Sequence, residues 1–125
     1  MDIPESLRYT ATHEWVAEQA DGSLRIGITA VAAEQLGELV YVELPEVGRQ
    51  LAARESCAVV ETTKAASDVY APVAGEVVEV NAALADSPGK VSEAPYDAGW
   101  LFRIRPSAPA EGLLDALAYR ASARA

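Results

Sequence analysis

Seven short apolar or β-branched runs, separated by turn residues, limit this chain to a mainly β fold. Asp21-Gly22 separates the first two runs and predicts a tight hairpin, because such a pair readily adopts positive φ angles. Short runs of this kind can bury a core only by pairing into sheets. The seven runs are Thr12 to Ala17, Leu24 to Ile28, Leu39 to Leu44, Cys57 to Glu61, Val69 to Ala71, Glu76 to Asn81 and Trp100 to Arg105.

Two further segments suit helices. Ala30 to Leu36 follows Thr29, a good N-cap, and stops at Gly37. Pro109 to Ala121 places four apolar residues at helical spacing, which predicts one stripe that packs back on the sheet. Those four residues are Leu113, Leu114, Leu117 and Ala118.

A polar segment from Glu61 to Asp68 lies between two of the strand-forming runs and predicts a hairpin turn with Lys64 at its centre. The chain has two lysines, Lys64 and Lys90, whereas arginine supplies its other basic side chains. An ε-amine can be acylated and a guanidinium cannot, so a lysine exposed on a turn suits modification. The flanking Glu61 and Asp68 are candidates to bind the ammonium group, although a solvated turn is the ordinary interpretation of such a pattern.

Length and charge set the broad class. With 125 residues the chain is expected to form a single domain over residues 1–125, with a core at about 8–106 and a C-terminal helical segment at about 109–121. A net charge of -9 opposes binding to nucleic acid or to anionic membranes and favours basic partners. No leader or long apolar segment is recognisable, so we expect a cytoplasmic location. A lone cysteine, Cys57, in an apolar run is expected to be a core residue.

The segment around Lys64 closely resembles the lipoyl-attachment region of the glycine cleavage system H protein family. The resemblance extends nearly end to end, in the family's order and spacing. It rests on Glu61 to Asn81, which includes Lys64 and Val69-Tyr-Ala-Pro-Val-Ala-Gly75, and on Tyr9, His13-Glu14-Trp15, Gly27-Ile28-Thr29, Leu36-Gly37, Val42-Glu43-Leu44-Pro45, Pro95-Tyr96 and Gly99-Trp100.

This resemblance implies a barrel-sandwich hybrid of the lipoyl/biotinyl type, built from two small antiparallel sheets, with lipoate attached to Lys64. It assigns Glu61, Ser67, Asp68 and Glu14 to recognition by the lipoylating enzyme or to the resting pocket of the arm. By the same resemblance the chain is a carrier without catalytic residues. Ala30 to Ala33 stand where the family often has polar residues, so the shelter of a loaded arm would be less polar here.

The resemblance also implies partners. The carrier would take an aminomethyl group from glycine at a pyridoxal-phosphate glycine decarboxylase, the P protein. It would then visit a tetrahydrofolate-dependent aminomethyltransferase, the T protein, and a flavin (FAD) dihydrolipoyl dehydrogenase, the L protein. A lipoate ligase or lipoyl transferase would attach the group.

Several alternatives remain at this point. The chain could relay lipoyl groups, serve as an unmodified interaction module of the same fold, or carry lipoyl or biotin for another complex. Biotinyl domains usually bracket their lysine with methionines, whereas Thr63 and Ala65 flank Lys64. A Schiff-base lysine would need a desolvated pocket, and a polar turn between acids is the opposite environment. His13 is the single histidine and has no grouped ligands beside it for a metal.

Overall fold

The computed structural model describes residues 3–108 and 112–124, which form nine strands, three α-helices and one 3-10 turn. All seven predicted runs overlap a strand, and two short strands, β1 and β5, had no signal long enough to predict. The strands are β1 (Arg8–Tyr9), β2 (Glu14–Glu18), β3 (Leu24–Ile28), β4 (Tyr41–Glu43), β5 (Gln50–Leu51), β6 (Ser56–Glu61), β7 (Ala66–Tyr70), β8 (Gly75–Val80) and β9 (Phe102–Pro106). The helices are α1 (Ala30–Leu36), α2 (Lys90–Glu93) and α3 (Ala116–Arg124), and the 3-10 turn is Ala82–Ala85.

Two antiparallel sheets enclose the main core, as the sequence predicts. One sheet has six strands in the order β1-β2-β3-β9-β8-β5, and the other has three in the order β4-β6-β7. Side chains that alternate along these strands point between the sheets and are buried there, among them Ile26, Val60 and Phe102. The predicted fold class, a mainly β barrel-sandwich hybrid of two antiparallel sheets, is confirmed.

The Asp21-Gly22 hairpin joins β2 to β3 as predicted. Gly22 has a φ of +85°, a conformation that a residue with a Cβ rarely adopts. Asp21 Oδ1 accepts hydrogen bonds from both the backbone N–H and the hydroxyl of Ser23. This turn therefore follows from local chemistry alone.

The C-terminal helix is present, but its predicted start and apolar stripe are wrong. Pro109 lies outside the described residues, and α3 begins at Ala116 instead of near residue 109. Gly112 has a φ of +74°, and Leu114 pairs with Tyr9 through two backbone hydrogen bonds of 2.8 and 2.7 Å. The backbone of Leu114 thus extends the edge of the six-stranded sheet, which excludes it from a helix.

Helix α3 packs through residues other than the predicted ones. Leu117 is 76% exposed, whereas Ala116 and Tyr119 are buried against the outer face of β1 and β2. Their partners form a second hydrophobic cluster, separate from the main core: Ile3, Tyr9 and Trp15. The register of α3 is therefore set by this cluster, because burying Tyr119 turns Leu117 to solvent.

Candidate functional site: the Lys64 hairpin and its cleft

A four-residue turn from Thr62 to Ala65 joins β6 to β7 and places Lys64 at its tip. The Thr62 backbone N–H donates to the Ala65 carbonyl oxygen at 2.8 Å. The Thr62 hydroxyl oxygen accepts from the N–H groups of Lys64 and Ala65 at 3.2 and 3.1 Å. Threonine thus fixes the backbone beneath Lys64 through local hydrogen bonds. The hairpin is as predicted, but its turn is shorter, because Glu61 and Asp68 belong to the strands.

Lys64 is exposed, and its side chain makes no hydrogen bond or ion pair with the described residues. Among the described residues, ion pairs join Arg49 to Glu55 and Arg103 to Glu79. The hypothesis that Glu61 and Asp68 bind the ammonium group is therefore not supported. Asp68 instead accepts a hydrogen bond from the Ser56 hydroxyl at 2.9 Å. The backbone of Lys64 is fixed by the turn, whereas its ε-amine stays accessible to solvent.

A cleft of about 130 Å³ lies beside this hairpin, and we call it the hairpin cleft. Strand β7, helix α1 and the start of β2 all contribute residues to its lining. Ser67 is three residues from Lys64, at most about 10 Å along an extended chain. The cleft-lining residues are Thr12, His13, Glu14, Ile28, Ala32, Gln35, Leu36, Val60, Ser67, Asp68 and Val69.

Three of the four residues that the resemblance assigns beside Lys64 line this cleft, namely Glu14, Ser67 and Asp68. Glu61 does not. It is half-buried at the end of β6, paired with Tyr41 and Ala66, and its carbonyl oxygen accepts from the Val40 N–H at 2.8 Å. Three of the four residues therefore lie in the cleft, and the fourth, Glu61, lies at the base of the turn.

Glu14 is the buried polar centre of the cleft, with 1% of its surface exposed. Its Oε1 accepts from the hydroxyls of Thr10 and Thr12, each at 2.6 Å, and its Oε2 accepts from the Tyr70 N–H at 3.3 Å. Burial raises the pKa of Glu14, and the hydrogen bonds from Thr10, Thr12 and Tyr70 only partly oppose this effect. A desolvated carboxylate of this kind would gain from a cationic neighbour.

The raised pKa of Glu14 predicts a pH dependence of stability. The folded protein binds the proton of Glu14 more tightly than the unfolded chain does. Its stabilising effect is therefore complete below the ordinary value of 4.5 and is lost as the pH rises through the folded pKa. Glutamine does not titrate, so the free energy of unfolding of the wild type minus that of Glu14→Gln should fall from about pH 4 to pH 7.

Urea unfolding across that pH range measures this difference. Glu18→Gln is the control, because Glu18 is an exposed glutamate at the end of the same strand. A difference between wild type and Glu14→Gln that is constant with pH, or that increases, would contradict a raised pKa.

A second pocket, of about 160 Å³, shares Thr12 and Glu14 with the hairpin cleft. Its other lining residues include Arg54, Tyr70 and Leu113. Arg54, which is exposed, is the cationic residue among those that line this pocket. Glu14 therefore lines both pockets.

Sequence reasoning missed Thr12, Gln35 and Leu36 in the hairpin cleft. Thr12 has a local signal, since it lies two residues before an acid at the start of a strand. Gln35 has none, because its place depends on how α1 packs. The segment Ala30 to Ala33, which departs from the family pattern, contributes Ala32 to the cleft. The rest of α1 contributes the polar Gln35 and the apolar Leu36.

Other candidate groups are structural. Cys57 is buried, and burial raises the pKa of its thiol to about 12, which makes it unreactive. Within residues 3–108 and 112–124, no three histidine, cysteine or acidic side chains are grouped as metal ligands. The helices in these ranges are too short or too polar to cross a bilayer.

Comparison with known proteins gives a consistent result. The profile of the family described as "Glycine cleavage H-protein" matches residues 7–124. The glycine cleavage system H protein of Halorhodospira halophila is 58% identical over 120 residues, which cover 94% of this chain and 92% of that protein. That of Nitrosomonas europaea is 54% identical over 122 residues, covering 96% and 94%.

A solved structure agrees with both. The crystal structure of a glycine cleavage system H protein from Mycobacterium marinum superimposes with a TM-score of 0.90 at 48% sequence identity. The match covers 98% of this chain and 100% of that chain. Sequence and fold therefore point to the same family over nearly the whole length.

Proposed function

The chain belongs to the glycine cleavage H-protein family, and we propose that it carries lipoate on Lys64 as a component of the glycine cleavage system. The observation that carries this proposal is the exposed amine at the tip of a hydrogen-bonded four-residue turn, which has no side-chain partner in the part of the chain that the structure describes. A lipoate ligase or lipoyl transferase can reach such an amine without unfolding its host. Lys64 suits the attachment of lipoate, because no described side chain competes for its ammonium group.

When attached, lipoate supplies a redox-active disulfide that accepts and releases the aminomethyl group derived from glycine. The protein contributes position. Its turn would hold the base of the tether and present it in turn to glycine decarboxylase, the aminomethyltransferase and dihydrolipoyl dehydrogenase. Tethering raises the effective concentration of the carried group at each enzyme without any new contact. In this proposal the chain itself is not a catalyst.

The hairpin cleft is the proposed resting place of the loaded arm. Glu14 offers a carboxylate with few solvent contacts, and an ammonium group near it would be stabilised more strongly than in water. Ser67 adds a hydroxyl within reach of the turn, and Asp68 adds negative charge at the rim. Because α1 contributes Ala32, Gln35 and Leu36, none of which is acidic, the cleft would hold a cation through the acids of β2 and β7.

Glu61 is proposed to be a residue that the lipoylating enzyme recognises. Incubation with a purified lipoate ligase, followed by peptide mass spectrometry, should show one lipoyl group on Lys64 and none on Lys90. Glu61→Ala should slow this reaction about tenfold, because a lost charge-assisted hydrogen bond across an interface is worth on the order of 1.5 kcal/mol. Glu18→Ala, an exposed acid on the other sheet, should react at the wild-type rate.

Two outcomes would count against the proposal. A wild-type chain that stays unmodified, or that accepts biotin in place of lipoate, would refute the lipoyl assignment. Equal lipoylation rates for Glu61→Ala and the wild type would show that Glu61 only solvates the turn.

A further inference from the structure

The hydroxyl of Tyr119 connects helix α3 to two other elements. It lies 2.6 Å from His13 Nδ1 and 2.7 Å from Thr29 Oγ1. The ring is fully buried and stacks on Tyr9 with ring centroids 4.7 Å apart. Burial raises the pKa of Tyr119 to about 12, so the hydroxyl keeps its proton at neutral pH. A tyrosine has one donor and can accept as well, and both capacities are used here.

The two partners of this hydroxyl belong to two sides of the hairpin cleft. His13 lines the cleft, directly precedes Glu14 and has a φ of 73°. Thr29 is the N-cap of α1, and its Oγ1 accepts from the Ala32 N–H at 3.3 Å. The Thr29 N–H also donates to the His13 carbonyl oxygen at 2.9 Å. The start of β2 and the start of α1 therefore meet at Tyr119.

One arrangement of protons satisfies every group. Burial lowers the pKa of His13 and so favours the neutral imidazole, whose Nδ1 accepts from the Tyr119 hydroxyl when the ring proton is on Nε2. Thr29 then donates to Tyr119 while it accepts from Ala32. Without the Tyr119 hydroxyl, the fully buried Thr29 side chain loses a partner, and so does the side chain of His13, whose backbone is left-handed.

We propose that Tyr119 is a positioning residue of the hairpin cleft, whose hydroxyl holds the Glu14 side and the α1 side at a fixed spacing. That this cleft shelters the loaded arm rests on the function proposed above. The positioning itself is a property of the unmodified chain. Helix α3, which lies on the outer face of the larger sheet, thereby shapes a site that it does not line.

Tyr119→Phe removes the hydroxyl and keeps the stacked ring, so the test can use the folded, unmodified chain. Amide hydrogen exchange should become about fivefold to tenfold faster at Thr29, Ala32 and Ala33, the amides bonded around this junction. Amides in β8 and β9 should exchange as in the wild type. Tyr41→Phe, which removes a hydroxyl from a tyrosine that is 54% exposed, is the matched control and should change neither set.

A second readout reports the histidine directly. The 15N chemical shift of His13 Nδ1 should move in Tyr119→Phe and stay unchanged in Tyr41→Phe, because only the first variant removes its hydrogen-bond partner. A general loss of stability would accelerate exchange equally in β8 and β9, and that result would overturn the proposal. Unchanged exchange at the three junction amides would overturn it too. Failure of Lys64 to accept lipoate would refute the proposed function and leave these measurements decisive for Tyr119.

Discussion

Lys64→Arg is expected to fold like the wild type and to carry no lipoyl group. The guanidinium keeps the positive charge but cannot form the amide that the ε-amine forms. Because Lys64 is exposed and has no side-chain partner among residues 3–108 and 112–124, its replacement should change the free energy of unfolding by less than about 0.5 kcal/mol. Glycine-dependent aminomethyl transfer should fall to background, since the three proposed partner enzymes would have no shared tether.

Intact-protein mass spectrometry measures whether a lipoyl group is attached, and urea unfolding measures the free energy of unfolding. Lys90→Arg is the matched control, because Lys90 is the second lysine of the chain and begins α2, away from the hairpin. It should be lipoylated normally. Aminomethyl transfer that persists in Lys64→Arg would refute the assignment of Lys64, and so would a lipoyl group found on Lys90.

Phe102→Ala should destabilise the fold by about 3 to 5 kcal/mol. Phe102 is fully buried in β9, the strand between β3 and β8, where it pairs with Ile26 and Val80. Truncation there removes apolar contacts and leaves a cavity that the surrounding strands cannot close. A loss of this size is a large part of the total stability of a small domain.

Urea denaturation followed by tryptophan fluorescence measures this loss. Leu117→Ala is the comparison, since Leu117 is 76% exposed on α3 and should cost less than about 0.5 kcal/mol. Similar destabilisation by the two variants would contradict the packing described here. It would favour the stripe that the sequence predicts for the C-terminal helix.

The Lys64 turn and its strands were predictable because their causes lie close together in the chain. A polar segment between two strand-forming runs must reverse, and the Thr62 hydroxyl stabilises the turn with groups two and three residues away. The same holds for the Thr29 cap of α1, which was predicted and confirmed. Membership in the family strengthens this result but is not needed for the turn.

The C-terminal helix shows the opposite case. Leu113 and Leu114 fit a helical stripe by spacing, yet the backbone of Leu114 pairs with Tyr9, more than a hundred residues earlier. The free edge of β1 offers two hydrogen bonds that a helix would not replace at that point. The spacing of apolar residues along the chain carries no information about such a distant partner, so the helix was predicted to begin too early.

The sequence by itself determined that an acylable amine stands at a hairpin tip in a mainly β chain, because strand runs, turn residues and caps act over a few residues. Only the tertiary structure decided what lies beside that amine. Glu14, Gln35 and Ser67 meet in one cleft through antiparallel pairing and the packing of α1, and Tyr119 reaches the same junction from α3. Burial and hydrogen bonding between distant segments produce this arrangement, and neither is encoded in any short stretch of residues.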